Sequence, residues 1–264
     1  MKPASLTTNR TKAIISINIH ALLIFGSSAA LKQVLNREGA RALDVAMLRT
    51  LILIAATGAV GYFCNAKFRI ASQDHSLIVL RCILSTLAYV VFVYGISMVS
   101  LLDFTAIFNT LPFWASLLGW VFLREGLSLL EICALFFSFG GVLCVAFSTK
   151  DDAKEAEEVK AEGAIKEIEK PGTHLLGCMM ILVAAVSYAG VINITRRMQK
   201  YNFAVMLFWY AVFAAPVTMF MIFCDCIATR RTIHLLSYEL RQYCWILLAS
   251  AFGFIADAAA IIAT

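Results

Sequence analysis

Residues 94–147 read YGISMVSLLDFTAIFNTLPFWASLLGWVFLREGLSLLEICALFFSFGGVLCVAF, and this stretch decides the fold. It contains two apolar runs, near 102–123 and 128–147, and the break between them holds Arg124, Glu125 and Gly126. A helix needs roughly 20 mostly apolar residues to cross the hydrocarbon core of a bilayer. Both runs reach that length, so the stretch predicts two membrane-spanning helices joined by a tight turn.

Further apolar runs of similar length lie on both sides of this stretch. They are found near 13–31, 45–63, 77–98, 175–194, 203–224 and 243–264. Basic residues such as Lys12, Lys32 and Arg196 stand at their ends, where such residues mark membrane edges. Open sheets would leave backbone groups unpaired in lipid, and a β-barrel would show short alternating segments. We therefore predict an all-α, polytopic membrane bundle of about eight helices.

The composition excludes a water-soluble protein. Of 264 residues, 61% are hydrophobic and only 15% are charged, whereas a soluble domain carries about 25% charged residues. The net charge of +5 does not indicate a nucleic-acid partner, because the basic residues mark the ends of apolar runs. The eight cysteines form no CxxC pair and are typical of small buried apolar residues, so neither a metal nor another cofactor is expected.

One long polar segment divides the chain. Residues 148–174 hold five lysines and eight acidic residues, which indicates a solvated acidic linker. The apolar runs on its two sides share short matches, such as Ala46-Met47-Leu48 with Val205-Met206-Leu207. Ile83-Leu84 likewise matches Ile246-Leu247, at an offset of 163 residues. These matches predict an internal repeat, a feature common in secondary transporters.

Residues 94–147 resemble the EamA repeat of the drug/metabolite transporter superfamily. The shared elements are the short link between the third and fourth runs, Pro112 within the fourth run, the acidic turn at Glu125, and Gly140-Gly141-Val142 in the fifth run. Arg49 in the second run also matches a common family arginine. Within the superfamily, the chain is most similar to the eukaryotic solute carriers that neighbour the nucleotide-sugar transporters.

The resemblance implies ten helices in two inverted five-helix repeats, which enclose a central cavity used by alternating access. Residues 1–147 would form the first five-helix repeat, 148–174 the acidic soluble linker, and 175–264 an incomplete second repeat. Only about eight runs are present, and the sequence stops at Thr264 inside an apolar run. We therefore expect a C-terminally truncated version of the ten-helix parent.

Asp257 is the sharpest candidate for a functional residue. A carboxylate at the bilayer centre costs roughly 2.5–3.5 kcal/mol, so such residues usually face a cavity or a partner. A coupling or substrate-contacting role is predicted, against the alternative of a position near the membrane interface. The other candidates for substrate contact or coupling are Asn18, His20, Arg49, Tyr94, Asn109, Pro112 and Tyr188.

Polar groups in the first two runs have structural alternatives. His20 is able to carry a proton, but a hydrogen bond across helices is the favoured interpretation for it and for Asn18. Arg49 either binds an anionic substrate or reaches the membrane interface, where Arg81 of the third run is also expected.

Each of the remaining candidates also has two interpretations. Pro112, close to Asn109, removes a helix hydrogen bond, and the resulting break either lines a binding site or is a packing kink. Tyr89, Tyr94 and Tyr188 either line a cavity or pack as ordinary aromatic residues.

These features predict a secondary transporter or exporter of a small polar metabolite rather than an enzyme. HExxH and GxSxG motifs are absent from the sequence. A receptor or regulatory membrane protein without transport activity is the alternative, as is an inactive fragment, and a membrane-embedded enzyme is less favoured. The expected partners are the lipid bilayer and a small-molecule substrate, with pairing of two copies as a homodimer left open. We expect an integral multi-pass protein of either the plasma membrane or an endomembrane.

Overall fold

The computed structural model describes residues 3–37, 40–66, 68–124, 126, 132–133, 135–137, 140–141, 171–229 and 238–263, and these ranges are helical without any β-strand. The helices are α1 (Pro3–Lys32), α2 (Ala42–Phe63), α3 (His75–Met98), α4 (Leu101–Phe108), α5 (Leu111–Leu118), α6 (Pro171–Arg197), α7 (Phe203–Thr229) and α8 (Leu240–Ala263). Short π-helical turns follow α1 and α5, and a 3₁₀ turn precedes α3.

Within the described residues, six helical segments are long and apolar enough to cross a membrane. They are Ala42–Phe63, Ser72–Met98, Leu101–Phe122, His174–Arg197, Phe203–Ile227 and Leu240–Ala259. These segments coincide with six of the predicted runs, and α1 covers the first run, so the all-α polytopic fold is confirmed. The predicted fifth run lies largely outside the described residues, as does the linker up to residue 170.

The fourth span is divided into two short helices. Ser100 caps α4, because its Oγ accepts a hydrogen bond from the Asp103 backbone N–H at 3.0 Å. After a break at Asn109 and Thr110, α5 starts with Pro112 in its first turn, where the missing N–H of proline has no helix partner to lose. The break that Pro112 predicted is therefore present, and it lies just before the proline.

The longer helices pack in antiparallel pairs. The most extensive contacts join α1 to α8, α3 to α6, and α2 to α7. Three side chains of α1 make hydrogen bonds to backbone carbonyl oxygens of α8, at 2.8 Å each: Ser16 to Ala259, His20 to Ala256, and Ser27 to Ala249. Residue numbers rise along one helix as they fall along the other, so the two helices run in opposite directions.

Glycines allow α3 and α6 to approach closely. A Cβ added to Gly95 would lie 2.8 Å from Cγ1 of Ile181, and one added to Gly177 would lie 2.7 Å from Cγ1 of Val99. Membrane helices associate through such small residues, since lipid supplies no hydrophobic force between them. Large apolar side chains such as Leu22, Phe220 and Leu247 are exposed on the outside of the bundle, which suits contact with lipid.

Polar contacts join the helix ends at both edges of the bundle. At one edge, Tyr201 donates to Asp74 Oδ2 at 2.6 Å, and Lys200 forms an ion pair with the same carboxylate at 2.5 Å. Its hydrogen bond to Asp74 raises the pKa of Lys200. At the other edge, Tyr238 donates to Asp44 Oδ2 at 2.7 Å. Burial raises the pKa of Tyr238, which keeps this phenol a hydrogen-bond donor.

Candidate functional site

A cavity opens between α2, α3, α6, α7 and α8, and α1 and α4 also contribute to its lining. The space between its walls, counted together with the part that is open to the outside, is about 840 Å³. Its described lining combines aromatic rings, hydroxyl groups and charges: Tyr89, Phe92, Phe108, Tyr188, Tyr210, Ser27, Ser85, Thr195, Arg49, Arg81 and Asp257, with apolar residues between them. Mostly apolar walls with a few convergent polar groups are typical of small-molecule sites.

Asp257 is the centre of a polar cluster that joins three helices. Arg49 of α2 donates from Nη2 to Asp257 Oδ2 at 3.1 Å, and Tyr188 of α6 donates from its hydroxyl to Oδ1 at 2.6 Å. The side chains of Arg49 and Asp257 are each only 11% exposed. Burying a carboxylate and a guanidinium costs desolvation free energy, and their mutual attraction offsets part of that cost. This ion pair therefore allows both charges to lie inside the bundle.

The position of Arg49 is fixed by its neighbours. Its guanidinium carbon lies 4.0 Å from the centre of the Tyr89 ring, which is within range of a cation–π interaction. On α8, a Cβ added to Gly253 would lie only 2.9 Å from Arg49 Nη2. Glycine at 253 therefore leaves room for the arginine to reach Asp257, one turn further along the same helix.

Arg81 lies deep in the bundle, and its predicted position at the membrane interface is wrong. The residue is 3% exposed. Its Nε donates to Thr195 Oγ1 and its Nη1 donates to the carbonyl of Met206, both at 3.1 Å. The prediction failed because the favourable partners lie on α6 and α7, far away in sequence, so Arg81 does not need to extend towards water.

His20 lies beside the cluster without lining the cavity. Its Nδ1 is 2.8 Å from the carbonyl oxygen of Ala256, the residue before Asp257. The hydrogen bond across helices that was favoured for His20 is therefore present. Asn18 is exposed and lies on the same helix. Neither residue belongs to the described cavity lining.

The other sequence candidates divide between the cavity and its surroundings. Tyr188 lines the cavity, whereas Tyr94 packs against the buried cluster of Leu43, Met47 and Ile222. Asn109 and Pro112 are exposed at the break between α4 and α5 and do not belong to the described lining. The structure thus brings together Arg49, Tyr188 and Asp257 from the predicted set.

Sequence reasoning missed part of this site. Arg81, Ser85, Thr195 and Tyr210 line the cavity but were not selected as candidates. Arg81 carried a usable signal, because an ionisable residue inside an apolar run usually faces a cavity or a partner. Serine, threonine and tyrosine are common in membrane helices, so nothing local to the other three pointed to the cavity.

A comparison with protein families gives this cavity a context. The model of the EamA-like transporter family matches residues 11–147, which is more than half of the chain. This chain belongs to the EamA-like transporter family. No curated protein matches it in sequence.

Membership makes the chain an integral multi-pass protein of a membrane transporter family. The matched range includes Arg49 and Arg81, and it also includes Tyr89, which stacks against Arg49. Tyr188 and Asp257 lie after it. The cavity is therefore built from the matched EamA region together with helices from the second half of the chain.

Proposed function

We propose that this chain is a secondary transporter, which moves a small polar metabolite through the cavity by alternating access. The observation that carries the proposal is the Arg49–Asp257 ion pair on the wall of an aromatic-lined cavity inside a bundle of apolar helices. Ionisable residues are costly in membrane segments, and those that occur there commonly mark substrate or ion pathways.

An internal repeat, which we propose for residues 1–147 and 175–264, supports this function. Adding 163 to the residue numbers of α1 gives those of α6, and subtracting 163 from those of α8 gives those of α3. If the repeat is real, paired residues of α1 and α8 should therefore have the same sum of residue numbers as paired residues of α3 and α6. The sum is 276 both for Ser27 with Ala249 and for Arg81 with Thr195. The residue-by-residue register of the two helix pairs is thus the same.

The direction of the helices supports an inverted repeat. The helices α1 and α3 cross the bundle in the same direction, since α2 returns between them. Each packs antiparallel to its partner, so α6 runs opposite to its repeat equivalent α1, and α8 runs opposite to α3. Inverted repeats of this kind let one half of a transporter rock against the other around a central site.

Within the cavity, we assign substrate contact to Arg49, Tyr188 and Asp257. They present donors, acceptors and charge on one wall, which is the chemistry needed to replace water around a polar solute. The sequence resembles solute carriers that neighbour the nucleotide-sugar transporters, and a substrate related to theirs stays a prediction.

Alternating access is tested with a single cysteine at Ser85, a residue of the cavity wall. The eight native cysteines are replaced by serine or alanine, and Ser85→Cys is introduced into the full chain in sealed vesicles of known orientation. We expect a membrane-impermeant sulfonated thiol reagent to label Cys at this position from either side, because the cavity opens to each side in turn. Labelling is read by mass shift on a gel.

Leu87→Cys is the matched control on the same helix. Leu87 is 46% exposed on the outer surface of α3, where lipid protects a thiol from a charged reagent, so neither side should label it. Labelling of Ser85→Cys from one side only, under every substrate and ion gradient applied, would overturn alternating access.

A further inference from the structure

We propose that the cavity selects a small organic anion with an apolar body that packs against aromatic rings. This inference rests on the proposed function, because it names the substrate class of the same site. It is carried by Arg81, a buried cation on the cavity wall whose two hydrogen-bond partners among the described residues are neutral.

The described cavity wall carries a net positive charge. Arg49 and Asp257 neutralise each other at 3.1 Å, and Asp257 also accepts a hydrogen bond from Tyr188. The only other charged residue in the described lining is Arg81. An arginine stays protonated inside a protein, so the wall keeps one positive charge that no described carboxylate balances.

The hydrogen bonds of Arg81 leave part of its guanidinium free to act on a ligand. Nε and Nη1 donate to Thr195 and to the Met206 carbonyl, which fixes the plane of the group. The third nitrogen, Nη2, makes no hydrogen bond to a described residue. A guanidinium held this way is preorganised to donate to a carboxylate or phosphate oxygen in the cavity.

The distribution of polar groups predicts where the anionic end lies. Arg81 precedes Tyr89 by eight residues on α3, so their backbone positions are about 12 Å apart along the helix and the two arginines approach the cavity from different levels. Ser85, four residues after Arg81 on the same helix face, adds a hydroxyl group to the lining, and Thr195 accepts a hydrogen bond from Arg81 while it donates to the Val191 carbonyl. The anionic group would bind at this end of the cavity.

The remaining wall suits an apolar body. Phe92, Phe108 and Tyr210 line the cavity together with the rings of Tyr89 and Tyr188. Aromatic walls bury apolar surface with little loss of side-chain entropy and pack well against a flat ring. A cation of similar shape would be repelled by the unbalanced charge of Arg81 and would bind more weakly than the anion.

Binding is tested by protection of a thiol, with the full-length protein that carries Ser85→Cys as its single cysteine, in the background where the eight native cysteines are replaced, purified in detergent. Ser85 is four residues from Arg81 on α3, so the two side chains lie on one face of the helix. The probes are phenylacetate, phenylacetamide and 2-phenylethylammonium, which have similar shapes and carry charges of −1, 0 and +1. Protection against the neutral reagent N-ethylmaleimide is measured as a function of probe concentration.

We expect phenylacetate to protect the thiol at a concentration at least about tenfold lower than phenylacetamide does, since charge-assisted hydrogen bonds distinguish the two probes. The ammonium probe should protect least. In the Ser85→Cys/Arg81→Gln protein the advantage of the anion should disappear, and Arg81→Lys should keep part of it. Arg69→Gln removes an exposed charge outside the cavity, so the anion should keep its full advantage there.

Each variant is compared with itself in the absence of probe, so a changed intrinsic reactivity of the thiol cancels. Equal protection by the anion and the amide would overturn the inference, as would an unchanged preference in both Arg81 variants. Failure of the proposed function is a separate result, because one-sided labelling in vesicles does not depend on which probe protects the thiol in detergent.

Discussion

At the scale of single residues, the Arg49–Asp257 ion pair is the feature with the clearest energetic consequence. Arg49→Gln leaves a buried carboxylate without its cation, and Asp257→Asn leaves a buried cation without its carboxylate. Removing one partner of a buried pair costs about 3–5 kcal/mol, because the remaining charge is uncompensated. We expect each single variant to lower the thermal unfolding temperature in detergent strongly.

The double variant Arg49→Gln/Asp257→Asn serves as the internal control. It removes both charges, so it should be more stable than either single variant, and the coupling should appear in a double-mutant cycle. If the losses from the two single variants simply add, the two side chains do not stabilise each other, and the ion pair would have to be rejected.

The residues of the cavity show what the sequence could and could not predict. Asp257 was found because a carboxylate in an apolar run needs an explanation, and Arg49 was found as a charge in a neighbouring run. The link between them could not be read from the sequence, since 208 positions separate the partners. Arg81 was placed at the interface for the same reason: its hydrogen-bond acceptors are 114 and 125 positions away.

At the scale of helices, the close approach of α3 and α6 at Gly95 predicts a graded effect of adding one methyl group. Gly95→Ala would place Cβ 2.8 Å from the side chain of Ile181 and 3.3 Å from the backbone of α6. Overpacking of this kind costs about 1–3 kcal/mol, because side chains and backbone must shift. We expect a lower thermal unfolding temperature in detergent.

Gly58→Ala is the matched control, in the interior of α2. The nearest atom to its added Cβ is 4.0 Å away, in the ring of Phe208, which is ordinary contact. Alanine is favoured over glycine in a helix by about 1 kcal/mol, so this variant should be as stable as the parent or more stable. Equal stability of the two variants would contradict the close approach at Gly95.

Helices were the part of the structure that the sequence predicted best. Apolar runs of about 20 residues need a membrane, and only helices satisfy the backbone within one continuous segment there. The break of the fourth span was indicated by Pro112, since proline fits the first turn of a new helix. The break itself lies outside the described cavity lining, and of the residues of α4 and α5 only Phe108 belongs to that lining. This could not be predicted from the sequence, because it depends on how α4 and α5 pack against α6.

At the scale of the whole molecule, the alternation of the spans predicts which loops share a side of the membrane. The contacts of Asp74 with Lys200 and Tyr201 place the α2–α3 and α6–α7 connections together. We expect cysteines introduced at Gln73 and at Lys200, each in the cysteine-free background, to react with an impermeant reagent from the same side. Glu239→Cys, before α8, should react from the opposite side.

Because these three positions lie at helix ends and not in the cavity, their labelling should be independent of substrate. Reaction of Gln73→Cys and Lys200→Cys from different sides would contradict the helix directions described above. It would also contradict the inverted repeat, since that proposal requires α6 to run opposite to α1.

The pairing of the helices also defines which parts of the molecule are able to move separately. Side chains of α1 hold the backbone of α8 at three successive levels, and glycines bring α3 and α6 into direct contact. We expect each pair to behave as a stiff unit. Asp257 then belongs to one unit, while Arg81 and Tyr188 belong to the other. The 2.6 Å hydrogen bond between Tyr188 and Asp257 would then join the two units, and it would have to break each time the units separate.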